Sequence, residues 1–172
     1  MEELTYCDGS QLAIVTARRC EIPLTTLRAA PFSLALDQLV VAKVAATNGV
    51  GQGAFSTLNV AGVSIQTEPL APTSSPSLVA SDESTATVQI ALLSGLAAGN
   101  AAVLYYELSW DQGSAQSTWA IYTVVSSATT QVTIDSLTSG ATYAFRYRAQ
   151  NIHGWSSGYS PVLAVIAMKV PG

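Results

Sequence analysis

Residues 142–150 read Thr-Tyr-Ala-Phe-Arg-Tyr-Arg-Ala-Gln, and this stretch decides the fold class. Its aromatic residues alternate with Arg146 and Arg148. A period of two with one apolar face is typical of a half-buried antiparallel strand, because successive side chains of a strand point to opposite faces. We therefore expect both arginines to lie outside the core. The residues expected inside it are Tyr143, Phe145 and Tyr147.

Seven strand-like segments of this kind follow one another in the last hundred or so residues. They are rich in Val, Ile, Thr, Tyr and Ser, and Gly, Pro, Asn and Asp separate them. Seven short strands in about 100 residues predict an immunoglobulin-like β-sandwich, and hence an all-β fold. The predicted strands are Ser77–Ala80, Ala86–Leu93, Val103–Trp110, Trp119–Val125, Gln131–Leu137, Thr142–Gln150 and Val162–Met168.

A weak internal repeat indicates a second, related module. Residues 42–51, Ala-Lys-Val-Ala-Ala-Thr-Asn-Gly-Val-Gly, align with residues 145–154, so that Asn48 matches Asn151 at an offset of 103 residues. That offset is close to the length of one sandwich domain. Residues 39–46 also alternate and are expected to form a strand of this first module.

A Pro- and Ser-rich stretch separates the two copies. It runs Glu68-Pro-Leu-Ala-Pro-Thr-Ser-Ser-Pro, a composition typical of a short, stiff linker. We therefore expect tandem sandwich modules. The predicted boundaries are residues 1–68 for the first module, residues 69–76 for the linker and the start of the next module, and residues 77–172 for a complete second module.

The region from Leu137 to Tyr159 resembles the E-to-G region of a fibronectin type III domain. In that family a Leu precedes a turn, a Tyr opens strand F, and Asn-x-x-Gly leads into a Ser-rich start of strand G. Leu137, Tyr143 and Asn151 stand at these positions. The resemblance covers roughly residues 72–172 and implies a β-sandwich, while the fold alone says little about function.

Residues 1–65 match only the second half of such a domain, and its strands A, B and C have no counterpart. With its two cysteines, this partial module resembles repeats of very large surface proteins from single-celled eukaryotes, built from many fibronectin type III modules. The resemblance implies an extracellular or cell-surface scaffold. A sandwich without its first strands exposes the inner face of its remaining sheet and an open strand edge. The expected face, a candidate assembly surface, comprises Ile22, Leu24, Leu27, Val40 and Val44.

Cys7 and Cys20 are the only cysteines of the chain. Their spacing allows the segment between them to fold back as a hairpin, and the extracellular setting that the resemblance implies favours a disulfide. Such a disulfide contributes roughly 3 kcal/mol, mostly by restricting the unfolded chain. Two buried free thiols are the alternative interpretation.

The segment Trp155-Ser-Ser-Gly-Tyr-Ser resembles a degenerate Trp-Ser-x-Trp-Ser box, found in fibronectin type III domains of cytokine receptors. There, arginines of strand F stack between aromatic rings. Here we expect Trp155 and Tyr159 to cover Arg146 and Arg148 in a cation–π surface cluster worth about 0.5–1 kcal/mol per contact. We expect this cluster to stabilise the sheet surface rather than to bind a ligand.

The composition excludes several classes of function. Charged residues make up 10% of the chain and the net charge is −4, so nothing suggests the neutralisation of phosphates and nucleic acid is not an expected partner. No stretch is long and apolar enough for a membrane span. The single histidine, His153, has no nucleophile or second ligand pattern around it. We therefore expect no enzymatic activity, no cofactor and no metal site.

The low charge suggests that the surface is used for assembly. A free monomer of this composition exposes apolar patches, and such patches mark interfaces. We therefore hypothesise a non-enzymatic structural subunit of an extracellular fibre or surface assembly, whose partners are other copies of itself or adjacent modules of a longer chain. The alternative is an adhesion or receptor ectodomain that binds a protein or glycan through module loops. A carbohydrate-binding module with tryptophans stacked on sugars is a third class.

Overall fold

The computed structural model describes residues 2–168, which form two compact units. The first unit extends to Gln66 and the second begins at Thr67. Antiparallel sheets account for most of the regular structure, and this confirms the all-β prediction for the chain as a whole.

The first unit contains two short helices as well as a small β-hairpin. Its elements are α1 (Leu12–Ala17), α2 (Leu24–Arg28), β1 (Thr47–Asn48) and β2 (Gly51–Gln52). Sequence periodicity does not predict the helices, because runs of five and six residues are too short to show a 3.6-residue period. Leu24 and Leu27 therefore lie on a helix and not, as expected, on the inner face of a sheet.

Residues 39–46 run beside residues 53–64 without forming the regular strand that the sequence predicts. Their hydrogen bonds to that segment are separated by uneven numbers of residues, so the ladder is irregular. Val44 is 71% exposed, and the expectation that it faces inward is wrong. The bonded pairs, with the N–H donor first, are Val40–Val63, Asn59–Ala42, Ser56–Val44 and Gly53–Ala46.

Two larger antiparallel sheets form the second unit. In chain order the strands are β3 (Ser77–Ser81), β4 (Ala86–Gln89), β5 (Tyr105–Trp110), β6 (Ala120–Ser126), β7 (Gln131–Ile134), β8 (Thr142–Asn151), β9 (Gly154–Trp155) and β10 (Leu163–Ile166). One sheet has the order β3–β4–β7, the other has the order β10–β8–β5–β6, and β9 pairs with the end of β8. A turn of 3₁₀ helix, Gly95–Ala98, lies between β4 and β5. All seven predicted strands are present, although several are shorter than predicted.

The core of the second unit contains the aromatic face of β8. Phe145 and Tyr147 are fully buried and Tyr143 nearly so, which confirms the predicted register. Burial of such side chains stabilises the fold by about 1.5–3 kcal/mol each. Further core residues, contributed by both sheets, are Val88, Ile90, Tyr106, Leu108, Val132 and Ile134.

Two core tyrosines place their hydroxyl groups on backbone partners, as buried polar groups require. The Tyr143 hydroxyl accepts a hydrogen bond from the Thr138 N–H at 2.9 Å and so holds the turn before β8 against that strand. The Tyr147 hydroxyl donates to the Ala91 carbonyl at 3.1 Å. Burial, together with the neighbouring Tyr106, raises the pKa of Tyr147 to about 12.

The segment predicted to be a linker, residues 69–76, belongs to the second unit. Pro69 and Pro76 are fully buried. The Leu70 N–H donates to the Ala97 carbonyl at 3.0 Å, next to the 3₁₀ turn. The stretch is therefore part of the sandwich and does not act as a free spacer.

Candidate interaction surface

Five side chains stack in one row on the outer face of β8. The Arg146 guanidinium carbon lies 3.9 Å from the ring centroid of Trp119 and 4.1 Å from that of Tyr159. The Arg148 guanidinium carbon lies 5.0 Å from the Tyr159 centroid and 4.8 Å from that of Trp155. We call these five residues the arginine–aromatic ladder.

The ladder follows from strand geometry. Arg146 and Arg148 are two positions apart on β8, so both point away from the core. Trp155 and Tyr159 come from the segment that returns after the β8–β9 turn. Trp119 immediately precedes β6 and supplies a third ring that the sequence resemblance did not include. The structure therefore brings together all four predicted cluster residues and adds one.

Glu107 is the polar anchor of this surface, although its side chain is only 2% exposed. It lies opposite Arg148 in the β5–β8 register. One carboxylate oxygen, Oε2, accepts from Arg148 Nη2 at 2.7 Å, and the other, Oε1, accepts from the Tyr159 hydroxyl at 2.6 Å. The Ser109 hydroxyl donates to Oε1 at 3.3 Å. The buried charge is thus paired and hydrogen-bonded, as its burial requires.

These contacts shift the ionisation of their members. Burial by itself would raise the pKa of Glu107, but hydrogen bonds from Arg148 and Tyr159 outweigh it and hold that pKa below its ordinary value. Burial, followed by the hydrogen bond to Glu107, raises the pKa of Tyr159. The same ion pair raises the pKa of Arg148. All three groups therefore keep their neutral-pH ionisation states firmly.

Asp111 is a second buried carboxylate that sequence reasoning missed. Its Oδ1 accepts from the N–H groups of Gly113 at 3.0 Å and Ala144 at 2.9 Å, and its Oδ2 accepts from the Gln116 N–H at 2.9 Å. These bonds fix the loop after β5. The only signal in the sequence is an aspartate directly after an apolar strand, which also fits an ordinary turn.

Cys7 and Cys20 form a disulfide, with Cα atoms 5.2 Å apart. The bond encloses helix α1, which has no buried residue of its own. A six-residue helix is marginal in water, so the enclosing loop is expected to support it.

The five residues of the candidate assembly surface do not share one sheet face. Leu27 is buried, whereas Val44 is exposed. Ile22, Leu24 and Val40 are half-buried. Because Leu24 and Leu27 lie on α2, the predicted apolar inner face does not exist in the form expected.

The internal repeat appears in the structure as the same turn built twice. Asn48 pairs with Gly51 in one unit, and Asn151 pairs with Gly154 in the other. In the first turn the Asn48 Oδ1 accepts from the N–H two residues on at 2.9 Å, and in the second the Asn151 Oδ1 does so at 2.8 Å. The first unit therefore contains a counterpart of the β8–β9 hairpin.

The two hairpins match beyond the turn. The Ser56 N–H donates to the Val44 carbonyl in the first unit, as the Ser160 N–H donates to the Tyr147 carbonyl in the second. In the first unit the hydroxyl of Ser56 also accepts from the Val44 N–H, and in the second that of Ser160 accepts from the Tyr147 N–H. The stacked pairs correspond as well, being Lys43 over Phe55 at 4.3 Å and Arg146 over Tyr159 at 4.1 Å.

One edge of the first hairpin has no partner strand in the part of the chain that the structure describes. Even-numbered residues from Val40 to Ala46 bond to the returning segment. The backbone groups of Val41, Lys43 and Ala45 make no hydrogen bond within residues 2–168. In the second unit the corresponding edge of β8 is covered by β5. We call the backbone of residues 41–45 the open edge.

Two kinds of site are missing from the part of the chain that the structure describes. No group of three or more His, Cys, Asp and Glu side chains is arranged to hold a metal ion there. None of the helices in residues 2–168 has the length and apolar character needed to cross a bilayer.

Comparisons with known proteins agree with the sandwich described above. A family model for the fibronectin type III domain matches residues 70–166. A crystal structure of domains from titin superposes with a TM-score of 0.53 at 15% identity; the match covers 79% of this chain and only 43% of the titin structure. A solution structure of a fibronectin type III domain from human fibronectin type III domain containing protein 3 gives a TM-score of 0.50 at 20% identity, with 62% of this chain and 93% of that chain covered. A search of curated proteins found no match.

Proposed function

The chain belongs to the fibronectin type III family, and on that premise we propose that it is a non-enzymatic structural subunit of an extracellular fibre or surface assembly. Domains of this fold are typical of structural proteins and of adhesion or receptor ectodomains. In the proposed assembly, polypeptide from a neighbouring subunit completes the first unit. The partners are other copies of the chain or adjacent modules.

The open edge carries this proposal. A row of unpaired N–H and C=O groups on an extended segment is a template for another chain, and natural monomers usually protect it. Here the equivalent segment of the second unit has a partner on both sides, whereas the segment at Val41, Lys43 and Ala45 has one on a single side. Addition of a strand from a neighbour would satisfy these groups.

The surface composition supports the same proposal. Only 10% of residues are charged, against about 25% in an average soluble protein. Large apolar side chains are exposed in both units, and in an assembly they would be covered. Exposed examples in the first unit are Leu12, Val44, Val60 and Val63, and in the second Leu92, Ile121 and Ile166. The disulfide is consistent with an oxidising, extracellular location.

Electron microscopy of negatively stained full-length protein tests the proposal. We expect filaments or ordered layers of uniform width from the purified chain alone. Dispersed particles of monomer size over the whole accessible concentration range would refute it.

The second candidate is an adhesion or receptor ectodomain. The loop between β4 and β5 favours it, because this loop presents exposed Leu92 before the 3₁₀ turn and exposed Leu96 within it. Specific, saturable binding of a soluble protein or glycan that is lost in Leu96→Asp would support this function. The arginine–aromatic ladder is a poorer binding surface, since its charges are already stacked and paired.

A further inference from the structure

The second unit shows what an incoming strand meets at the open edge of the first. In the second unit β5 covers β8, and its Glu107 carboxylate accepts its shortest hydrogen bonds from Arg148 and Tyr159. In the aligned repeat, Ala45 of the first unit occupies the position of Arg148 in the second. Phe55 likewise occupies the position of Tyr159, because each ring stacks on the corresponding cation. Both of these donors are therefore replaced by apolar side chains.

This pair of replacements defines the chemistry of the partner strand. A carboxylate placed beside Ala45 and Phe55 would be desolvated without its donors, which is unfavourable. Lys43 is stacked on Phe55 and can extend its ammonium group to solvent. The strand that pairs with the open edge should therefore be uncharged and extended, with β-branched or small side chains.

Strand β6 of the same chain has these properties. It reads Ala-Ile-Tyr-Thr-Val-Val-Ser, without a charge or a proline. Within residues 2–168 it pairs only with β5, so its outer edge has no partner strand there, and Ile121 and Val124 are exposed on it. Edge strands usually carry Lys, Pro or a strong bulge that prevents pairing with another chain. β6 has neither a lysine nor a proline, and its one irregularity, at Tyr122 between Ile121 and Thr123, leaves Thr123–Ser126 in regular register.

Length favours β6 over the other strands at sheet edges. β6 has seven residues, whereas β3 has five and β7 and β10 have four each. The open edge starts at residue 41, and the extended segment that contains it continues to β1. A strand of four residues would leave part of that edge unpaired, whereas the seven residues of β6 span it even with the one irregularity at Tyr122.

We propose, resting on the proposed function, that strand β6 of a second copy pairs with the open edge at Val41, Lys43 and Ala45. The two surfaces are different, so the contact is heterologous. A subunit that donates β6 keeps its own open edge available for a third copy. Such a contact propagates into a filament unless its rotation closes a ring.

Sedimentation velocity over a concentration series tests this pairing with the full chain. Ile121→Lys places a charge on the β6 edge, and Val41→Lys places one on the open edge. Ile152→Lys and Val50→Lys are the matched controls, because both residues are exposed in turns away from these edges. We expect each edge variant to raise the apparent dissociation constant at least about tenfold, because it adds a charge that, unlike Lys43 on Phe55, replaces an apolar side chain of the paired strands, and we expect each control to behave as wild type.

A charge-pair rescue keeps the test independent of folding defects. Val41→Glu alone should weaken assembly, and the double variant Val41→Glu with Ile121→Lys should recover part of it, since the new charges meet only if these two edges pair. Equal assembly of Ile121→Lys and Ile152→Lys would refute the β6 pairing and leave the proposed function standing. A wild-type chain that stays monomeric would refute both.

Discussion

Glu107 and Arg148 face each other across β5 and β8, with 2.7 Å between Oε2 and Nη2. The carboxylate is buried, while the arginine remains 27% exposed and stacks between two rings. The pair thus joins the buried carboxylate of Glu107 to the partly solvated guanidinium of Arg148. Loss of the arginine would leave the carboxylate buried without its strongest donor.

We therefore expect Arg148→Ala to lower the free energy of unfolding by about 2–3 kcal/mol, because removal of one partner leaves the buried Glu107 carboxylate without its ion pair. Arg19→Ala is the control, because the Arg19–Glu21 pair is exposed on both sides. That variant should change stability by less than about 0.5 kcal/mol. Chemical denaturation followed by circular dichroism measures both, because the tryptophans all lie in the second unit and would not report on Arg19 in the first. Equal, small effects would mean that the ion pair at Glu107 is not structural.

The lowered pKa of Glu107 gives the second prediction. A carboxyl group whose pKa is lower in the folded state adds stability above its unfolded pKa, and this stability is lost as the pH falls through the folded value. The difference in unfolding free energy between wild type and Glu107→Gln should be constant near neutral pH and should shrink below the ordinary value of 4.5. Denaturation curves from pH 7 to acid check this. A difference that does not change with pH would contradict it.

The register of β8 gives the third prediction. Phe145→Ala should destabilise the second unit by about 3–5 kcal/mol, the usual range for a buried phenylalanine. Tyr105→Ala removes an aromatic ring that is 46% exposed on β5 of the same sheet and should cost much less. Comparable losses in the two variants would show that the face of β8 has been assigned wrongly.

Gly99 gives the fourth prediction. It has a φ of +70°, and a Cβ atom there would lie 2.2 Å from the Thr67 carbonyl oxygen. Gly140 also has a positive φ, +82°, but open space around it. Gly140→Ala should therefore cost about 1–2 kcal/mol from backbone conformation alone, and Gly99→Ala should cost clearly more. Thermal unfolding separates the two, and equal values would argue against close packing of residues 67–76 on the 3₁₀ turn.

The disulfide gives the fifth prediction. Alkylation of the unreduced protein should modify neither Cys7 nor Cys20, and reduction should destabilise the first unit by roughly 3 kcal/mol. The second unit contains no cysteine, so its own unfolding transition serves as the internal control. Intact-mass measurement counts the alkylated cysteines. Thermal unfolding followed by two spectroscopic probes resolves the transitions of the two units. Two alkylated cysteines without reduction would contradict both the bond and the extracellular assignment.

The features that the sequence predicts well are those encoded locally. The alternation of Phe145 with Arg146 depends only on strand geometry, so face and register follow directly. The role of Glu107 as the acceptor beneath the ladder could not be predicted. Its donors come from β8 and from the segment after β9, and both are far from Glu107 in sequence. The exposure of Val44 could not be predicted, because alternation along a segment does not say whether a second sheet packs on it, and among residues 2–66 the structure describes only the β1–β2 sheet. Helix α2 is simply too short for its period to appear.

In the assembly proposed above, another chain completes the open edge of the first unit. Amide hydrogen exchange at Val41, Lys43 and Ala45 tests it most directly, measured by NMR or by mass spectrometry of dilute and of assembled protein. We expect fast exchange of these three amides in the dilute monomer and strong protection in the assembled form, because they then donate to a neighbouring strand. Fast exchange in the assembled protein, or protection already present in the dilute monomer, would contradict it.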